Sequence, residues 1–237
     1  MKAALLSVSG LHSYYGRAHI LADVALEVAK GEVVVLLGRN GAGKSTTMKT
    51  IMGLVRPAAG RIVFDGVDIT GRLPHEIARA GLGYVPEDRR IFTDLTVTEN
   101  LEVGRQKPRE GAPEWTPERL FAIFPNLAEM RDRPAGRMSG GEQQMLTIAR
   151  TLMGNPRAIL LDEPSEGLAP VIVEMMANTI LGLKREGLTV VLSEQNLHFA
   201  TMVSDRAYII EKGRIRYQGT IAELMHDDAV RAQYLSV

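Results

Sequence analysis

Apolar and polar positions alternate from residue 4 to residue 28, with Val24, Leu26 and Val28 sharing one face and a break at Tyr14-Tyr15-Gly16. This predicts antiparallel strands at the start of the chain. The pattern then changes. Residues 33–37, 158–161 and 188–192 are nearly unbroken apolar runs, the mark of strands covered on both faces. Between them lie stretches with helical spacing and helical punctuation: Ser45 to Met52, Pro74 to Ala80, a capping-box start at Thr96 with Glu99, Thr116-Pro117 to Phe124, the run ending at Met153, and Pro170 to Glu186. Short strands are expected at Gly60 to Phe64 and Val67 to Ile69 around an Asp65-Gly66 turn, at Gly83 to Pro86, and on either side of Lys212-Gly213, with a terminal helix near Ala222 to His226. The expected fold is α/β with an N-terminal antiparallel β subdomain and an inserted helical lobe. The core spans residues 1–87 and 138–237 and the lobe about 88–137. Trp115 falls in that lobe, where local packing is its expected role, and the helical methionines read as core filling.

Composition narrows the picture mainly by exclusion. Twenty-eight basic and 28 acidic residues cancel, so no overall field recruits nucleic acid or anionic lipid. There is no cysteine, hence no disulfide and no thiolate metal site. No apolar run approaches the ~18 residues that span a bilayer, and the expectation is a soluble, unexported chain. The five histidines are scattered without metal-ligand spacing.

The first chemistry-bearing stretch is Gly38-Arg39-Asn40-Gly41-Ala42-Gly43-Lys44-Ser45-Thr46, which fits G-x-x-x-x-G-K-[ST] between a buried strand and a helix. Backbone N–H groups at a helix N-terminus face a triphosphate with a favourable dipole, and the glycines let the backbone close around it. Lys44 then reaches the β- and γ-phosphates, Ser45 offers a hydroxyl to Mg²⁺, and Thr46 bonds a nearer phosphate oxygen. An apolar strand ending in Asp162-Glu163 supplies the other half of such a site: Asp162 to hold Mg²⁺, Glu163 to polarise the attacking water. Tyr15, just before a turn, is a candidate to stack on adenine, with strand-end packing as the alternative. Ser139-Gly140-Gly141-Glu142-Gln143 opens a second glycine-rich helix start. One nucleotide does not need both from one chain, but two facing copies do, each lending this helix start to the other's γ-phosphate.

These residues resemble the ATP-binding cassette family of transporter ATPases over essentially the whole chain. Gly38 to Thr46 is similar to its phosphate loop, Met138 to Gln143 to its signature motif, Ala158 to Glu163 to its magnesium strand and catalytic glutamate, and Tyr15 falls at its adenine-stacking position. Three positions depart from the pattern. Glu87 stands where the loop glutamine is usual, Ala169 where aspartate ends the segment after the glutamate, and Gln195 at the switch histidine. Expected Mg²⁺ contacts are therefore Ser45, Glu87 and Asp162, and expected catalytic groups Lys44, Glu163 and Gln195. Gln195 would sense the γ-phosphate through a neutral hydrogen bond, with His198 aimed elsewhere.

Pro86 to Phe92, Gly167 to Pro170 and Ser193 to Asn196 resemble one subgroup, the LivF-type smaller ATPase of branched-chain amino acid importers, with urea and amide importers alongside. That resemblance implies ATP hydrolysis at the inner face of the membrane, two transmembrane permease subunits, a second ATPase subunit, an external solute-binding protein, and no nucleic acid. The competing readings are a regulatory subunit that holds ATP without hydrolysing it, against which Glu163 argues, and a soluble cassette of DNA repair or translation. The latter's long insertions or paired cassettes do not fit in 237 residues.

Overall fold

The structure, a computed structural model, describes residues 4–235. Strands β1 (Ala4–Tyr15) and β2 (Ala18–Ala29) form the expected hairpin, and β1 also pairs antiparallel with β4 (Ala59–Phe64), which turns into the short β5 (Val67–Asp68). The result is an antiparallel sheet in the order β2-β1-β4-β5. The second sheet has the order β10-β9-β3-β8-β7-β6. It is built from β3 (Val33–Leu37), β6 (Leu82–Val85), β7 (Ala158–Asp162), β8 (Thr189–Glu194), β9 (Arg206–Glu211) and β10 (Arg214–Thr220). All its neighbouring pairs are parallel except β9 with β10 at one edge.

The apolar runs are explained by what lies on each face of this sheet. Successive strand residues point to opposite sides. Val33, Val35 and Leu37 of β3, with Ile159 and Leu161 of β7, enter one hydrophobic cluster, while Val34, Leu36 and Leu160 enter another. The second cluster is closed by β1, β2 and β4 and by α1 (Lys44–Ile51). The first is closed by α6 (Gly140–Leu152), α7 (Pro170–Arg185) and α8 (Leu197–Val203). Every residue of β3, β7 and β8 is buried.

Of the remaining helices, α2 (Pro74–Ala80) precedes β6, and α3 (Val97–Gly104), α4 (Pro117–Ile123) and α5 (Pro125–Glu129) fall between residues 88 and 137. The Thr96–Glu99 capping box forms as expected, with Glu99 N–H donating to Thr96 Oγ1 at 3.2 Å. Trp115 is buried in the same cluster as α6, and its backbone N–H donates to Asn155 Oδ1 at 2.6 Å. The chain closes with α9 (Ile221–His226) and one further helix that periodicity did not predict, α10 (Asp228–Tyr234). Its N–H groups are capped by Asp227 Oδ1.

Candidate nucleotide site

Parallel strands deliver their C-terminal ends to one edge of a sheet, where α/β folds bind ligands. Leu37 pairs with Glu194 and Asp162 with Ser193. The residues that follow β3, β7 and β8 are thereby gathered: Gly38 onward, Glu163, and Gln195. Gly38 N–H donates to the Glu194 carbonyl at 3.2 Å, tying the glycine-rich loop to β8.

Gly41 and Gly43 of this loop adopt φ of 78° and 112°, the left-handed region that glycine enters freely. The Ala42 carbonyl accepts from Gly213 N–H at 2.8 Å, and Ala22 N–H donates to the Gly213 carbonyl at 2.8 Å, so the β9–β10 turn clasps the loop to β2. Lys44 is buried, with its ammonium turned into the loop. It donates to the carbonyls of Gly38 at 2.8 Å and Arg39 at 3.1 Å, and lies 3.0 Å from Glu163 Oε1. All three ammonium donors are used within the site. The Ser45 hydroxyl makes no hydrogen bond among the described residues, Thr46 is buried behind it, and Arg39, Asn40 and Gly41 are exposed at the rim.

Asp162 is 1% exposed yet both its oxygens are held. Ser193 Oγ donates to Oδ1 at 2.5 Å and the Tyr84 hydroxyl to Oδ2 at 3.1 Å. Burial, then the Asp162 charge, pushes the Tyr84 phenol well above its usual range, which keeps it a donor. Ser193 also accepts from Glu163 N–H at 3.1 Å. Glu163 sits at φ 47°, an uncommon conformation for a residue with a side chain, and its Oε2 is buried without a donor among the described residues.

Acidic groups cluster around it. The neighbouring Glu163 carboxyl, then partial desolvation, then the charges of Glu163, Glu87 and Glu194 push the Glu166 carboxyl up to about 7. Burial raises Glu194 too, although it accepts from Ser165 N–H at 3.0 Å and Asn196 N–H at 3.3 Å. Glu166, Glu194 and Gln195 line a cleft of about 440 Å³. His198 lines the same cleft.

Glu87 is exposed in the loop after β6 and borders a smaller cavity of about 320 Å³ with Arg89 and Gln143. Ser139 caps α6, its Oγ accepting from Glu142 N–H at 3.4 Å while Glu142 Oε2 accepts from Ser139 N–H at 2.7 Å. The atoms nearest a Cβ built on Gly140 belong to Arg89 and those nearest one on Gly141 to Ile172, rather than to the loop at Gly38 to Thr46. Gln143 Nε2 donates to the Met138 carbonyl at 3.2 Å. Tyr15 is 48% exposed, whereas Tyr14 stacks on His19 at 4.3 Å. His19 Nε2 in turn lies 3.1 Å from His12 Nδ1, so two of the scattered histidines meet.

Two contributors to the site carried no signal in sequence, Tyr84 and Glu166; Ser193 lies within the stretch Ser193 to Asn196. The partnership of Tyr84 with Asp162 depends on β6 and β7 being neighbours, which no local pattern states.

The profile of the family described as "ABC transporter" matches residues 21–166. The chain belongs to this family, the ATP-binding cassette ATPases, nucleotide-binding subunits that couple ATP hydrolysis to transport and work with membrane-embedded permeases. Among individual proteins it is similar to the high-affinity branched-chain amino acid transport ATP-binding protein BraG of Pseudomonas aeruginosa, at 45% identity over 98% of this chain and 99% of that protein. It is also similar to the lipopolysaccharide export ATP-binding protein LptB of Haemophilus influenzae, at 38% identity over 98% and 97%. A solved ATP-binding cassette of an ABC transporter in its ADP conformation superposes with a TM-score of 0.82 at 30% identity, covering 98% of each chain. No helix among the described residues is long and apolar enough to cross a membrane.

Proposed function

We propose that this chain is one of the two ATPases of a branched-chain amino acid importer, held at the inner face of the membrane by two permease subunits. A second ATPase completes its site, and an external binding protein supplies the solute. The observation that supports this best is the joining of Lys44, Asp162 and Glu163 at one sheet edge, in a chain 45% identical to BraG along its whole length. Lys44 leaves Glu163 for the β- and γ-phosphates, and Glu163 takes a proton from the attacking water. Ser139 to Gln143 face the nucleotide of the other ATPase. Tyr15 lies open to stack on adenine, and Gln195 hydrogen-bonds the γ-phosphate from the cleft it shares with His198. The residues fit a hard divalent cation, since the Ser45 hydroxyl is free and the Asp162 oxygens keep unused lone pairs, with Glu87 proposed as a further carboxylate. Mg²⁺, when bound, neutralises developing phosphate charge.

The permease contact is the groove of about 680 Å³ beside β6, where Leu54, Phe92 and Val103 are 49%, 48% and 53% exposed and the Arg150 guanidinium lies 5.0 Å over the Phe92 ring. We read residues 88–137 as the lobe that carries this contact. The identity to LptB makes export the second reading. Deleting the chain and measuring uptake of leucine, isoleucine and valine, with purification of its membrane partners, decides between them. Undiminished uptake rules out the importer.

A further inference from the structure

The structure assigns to Tyr84 the task of aiming the Asp162 carboxylate, a positioning role that rests on the reading of Asp162 as a metal-binding group. Asp162 is buried and ends β7, so its side chain has few ways to be held open for a cation. Two hydroxyls do it, one on each oxygen: Ser193 from β8 at 2.5 Å, and Tyr84 from β6 at 3.1 Å. These strands flank β7 on both sides. The carboxylate is thus gripped symmetrically across the sheet, and each oxygen still has lone pairs to offer. Hydrogen-bond partners of metal ligands orient them and raise their affinity.

Tyr84 has a second face. Its ring helps line the groove with Leu54, Phe92, Val103 and Arg150, two residues before the loop of Glu87. Whatever packs in the groove therefore touches the residue whose hydroxyl fixes Asp162.

Tyr84→Phe keeps the ring and its packing but removes the hydroxyl, so a merely structural role leaves it without effect. The test titrates Mn²⁺ into the purified chain with saturating ADP, read by electron paramagnetic resonance, and measures ADP affinity separately in chelator. Tyr84→Phe should weaken Mn²⁺ about tenfold with metal-free ADP affinity and thermal melting unchanged. Wild-type Mn²⁺ affinity in Tyr84→Phe, alongside a large loss in Asp162→Asn, overturns the role of Tyr84. Unchanged Mn²⁺ affinity in Asp162→Asn overturns the reading of Asp162 on which it rests.

Discussion

The ion pair of Lys44 and Glu163 brings the expected phosphate ligand and the expected base into contact. Both are buried, so separating them leaves an uncompensated charge unless a competing anion takes the place of Glu163. A phosphate is such an anion. Glu163→Gln should slow hydrolysis by orders of magnitude, because the amide accepts no proton. It should also tighten ADP, which is not hydrolysed, since Lys44 no longer has to leave a carboxylate. Calorimetric titration with ADP checks this, and weaker or equal binding counts against the competition. Glu166 gives a second residue-scale prediction. Its carboxyl rises from 4.5 to about 7 in the fold, so the folded state holds a proton that the unfolded chain has released. Stability contributed in this way is present below about pH 4.5 and is lost as pH rises toward 7. Glu166→Gln should flatten the fall in melting temperature between pH 5 and pH 8, and an unchanged pH profile removes Glu166 as its source.

At the scale of elements, what the sequence makes plain is what each element says about itself. The strand, glycine loop and helix around Lys44, the Ser139 start of α6 and the acidic end of β7 are all local, and each forms where its pattern predicts. What the pattern cannot state is which elements become neighbours. β3 lies between β8 and β9, both far downstream, and the Tyr84–Asp162 contact exists only through such pairings. The helix α10 is short and gives a weak pattern: only Val230 and Tyr234, four residues apart, pack on the core, and none of its residues is fully buried. The Lys212-Gly213 turn was read as a simple hairpin, yet a Cβ on Gly213 would lie 1.8 Å from the Ile20 carbonyl oxygen at a φ of 72°. Gly213→Ala should therefore cost about 3 kcal/mol or more in urea denaturation, with nucleotide affinity falling because the turn holds Ala42. A cost under about 0.5 kcal/mol, the range of ordinary surface changes, excludes that account.

For the whole molecule, the important distance is between two glycine-rich helix starts that do not pack on each other. The neighbours of Gly140 and Gly141 are Arg89 and Ile172, which fits the proposal that the signature serves the nucleotide of the other ATPase. Ser139→Arg should damage the ATP site held by the partner ATPase, and Lys44→Ala the site on this chain. Complexes carrying one altered subunit, with turnover and nucleotide occupancy measured for each site, check the arrangement. Equal damage to both sites from either change would argue for a site completed within one chain.

The clasp of Gly213 on Ala42 also sets an order of events during synthesis. The phosphate loop leaves the ribosome early, but the strands that flank β3 and the turn that holds its loop lie near the other end of the chain. A nascent chain that stops short of β9 has the right residues and no finished cradle. The cradle closes only after β9 and the Gly213 turn have left the ribosome, so the site is among the last parts the chain can complete.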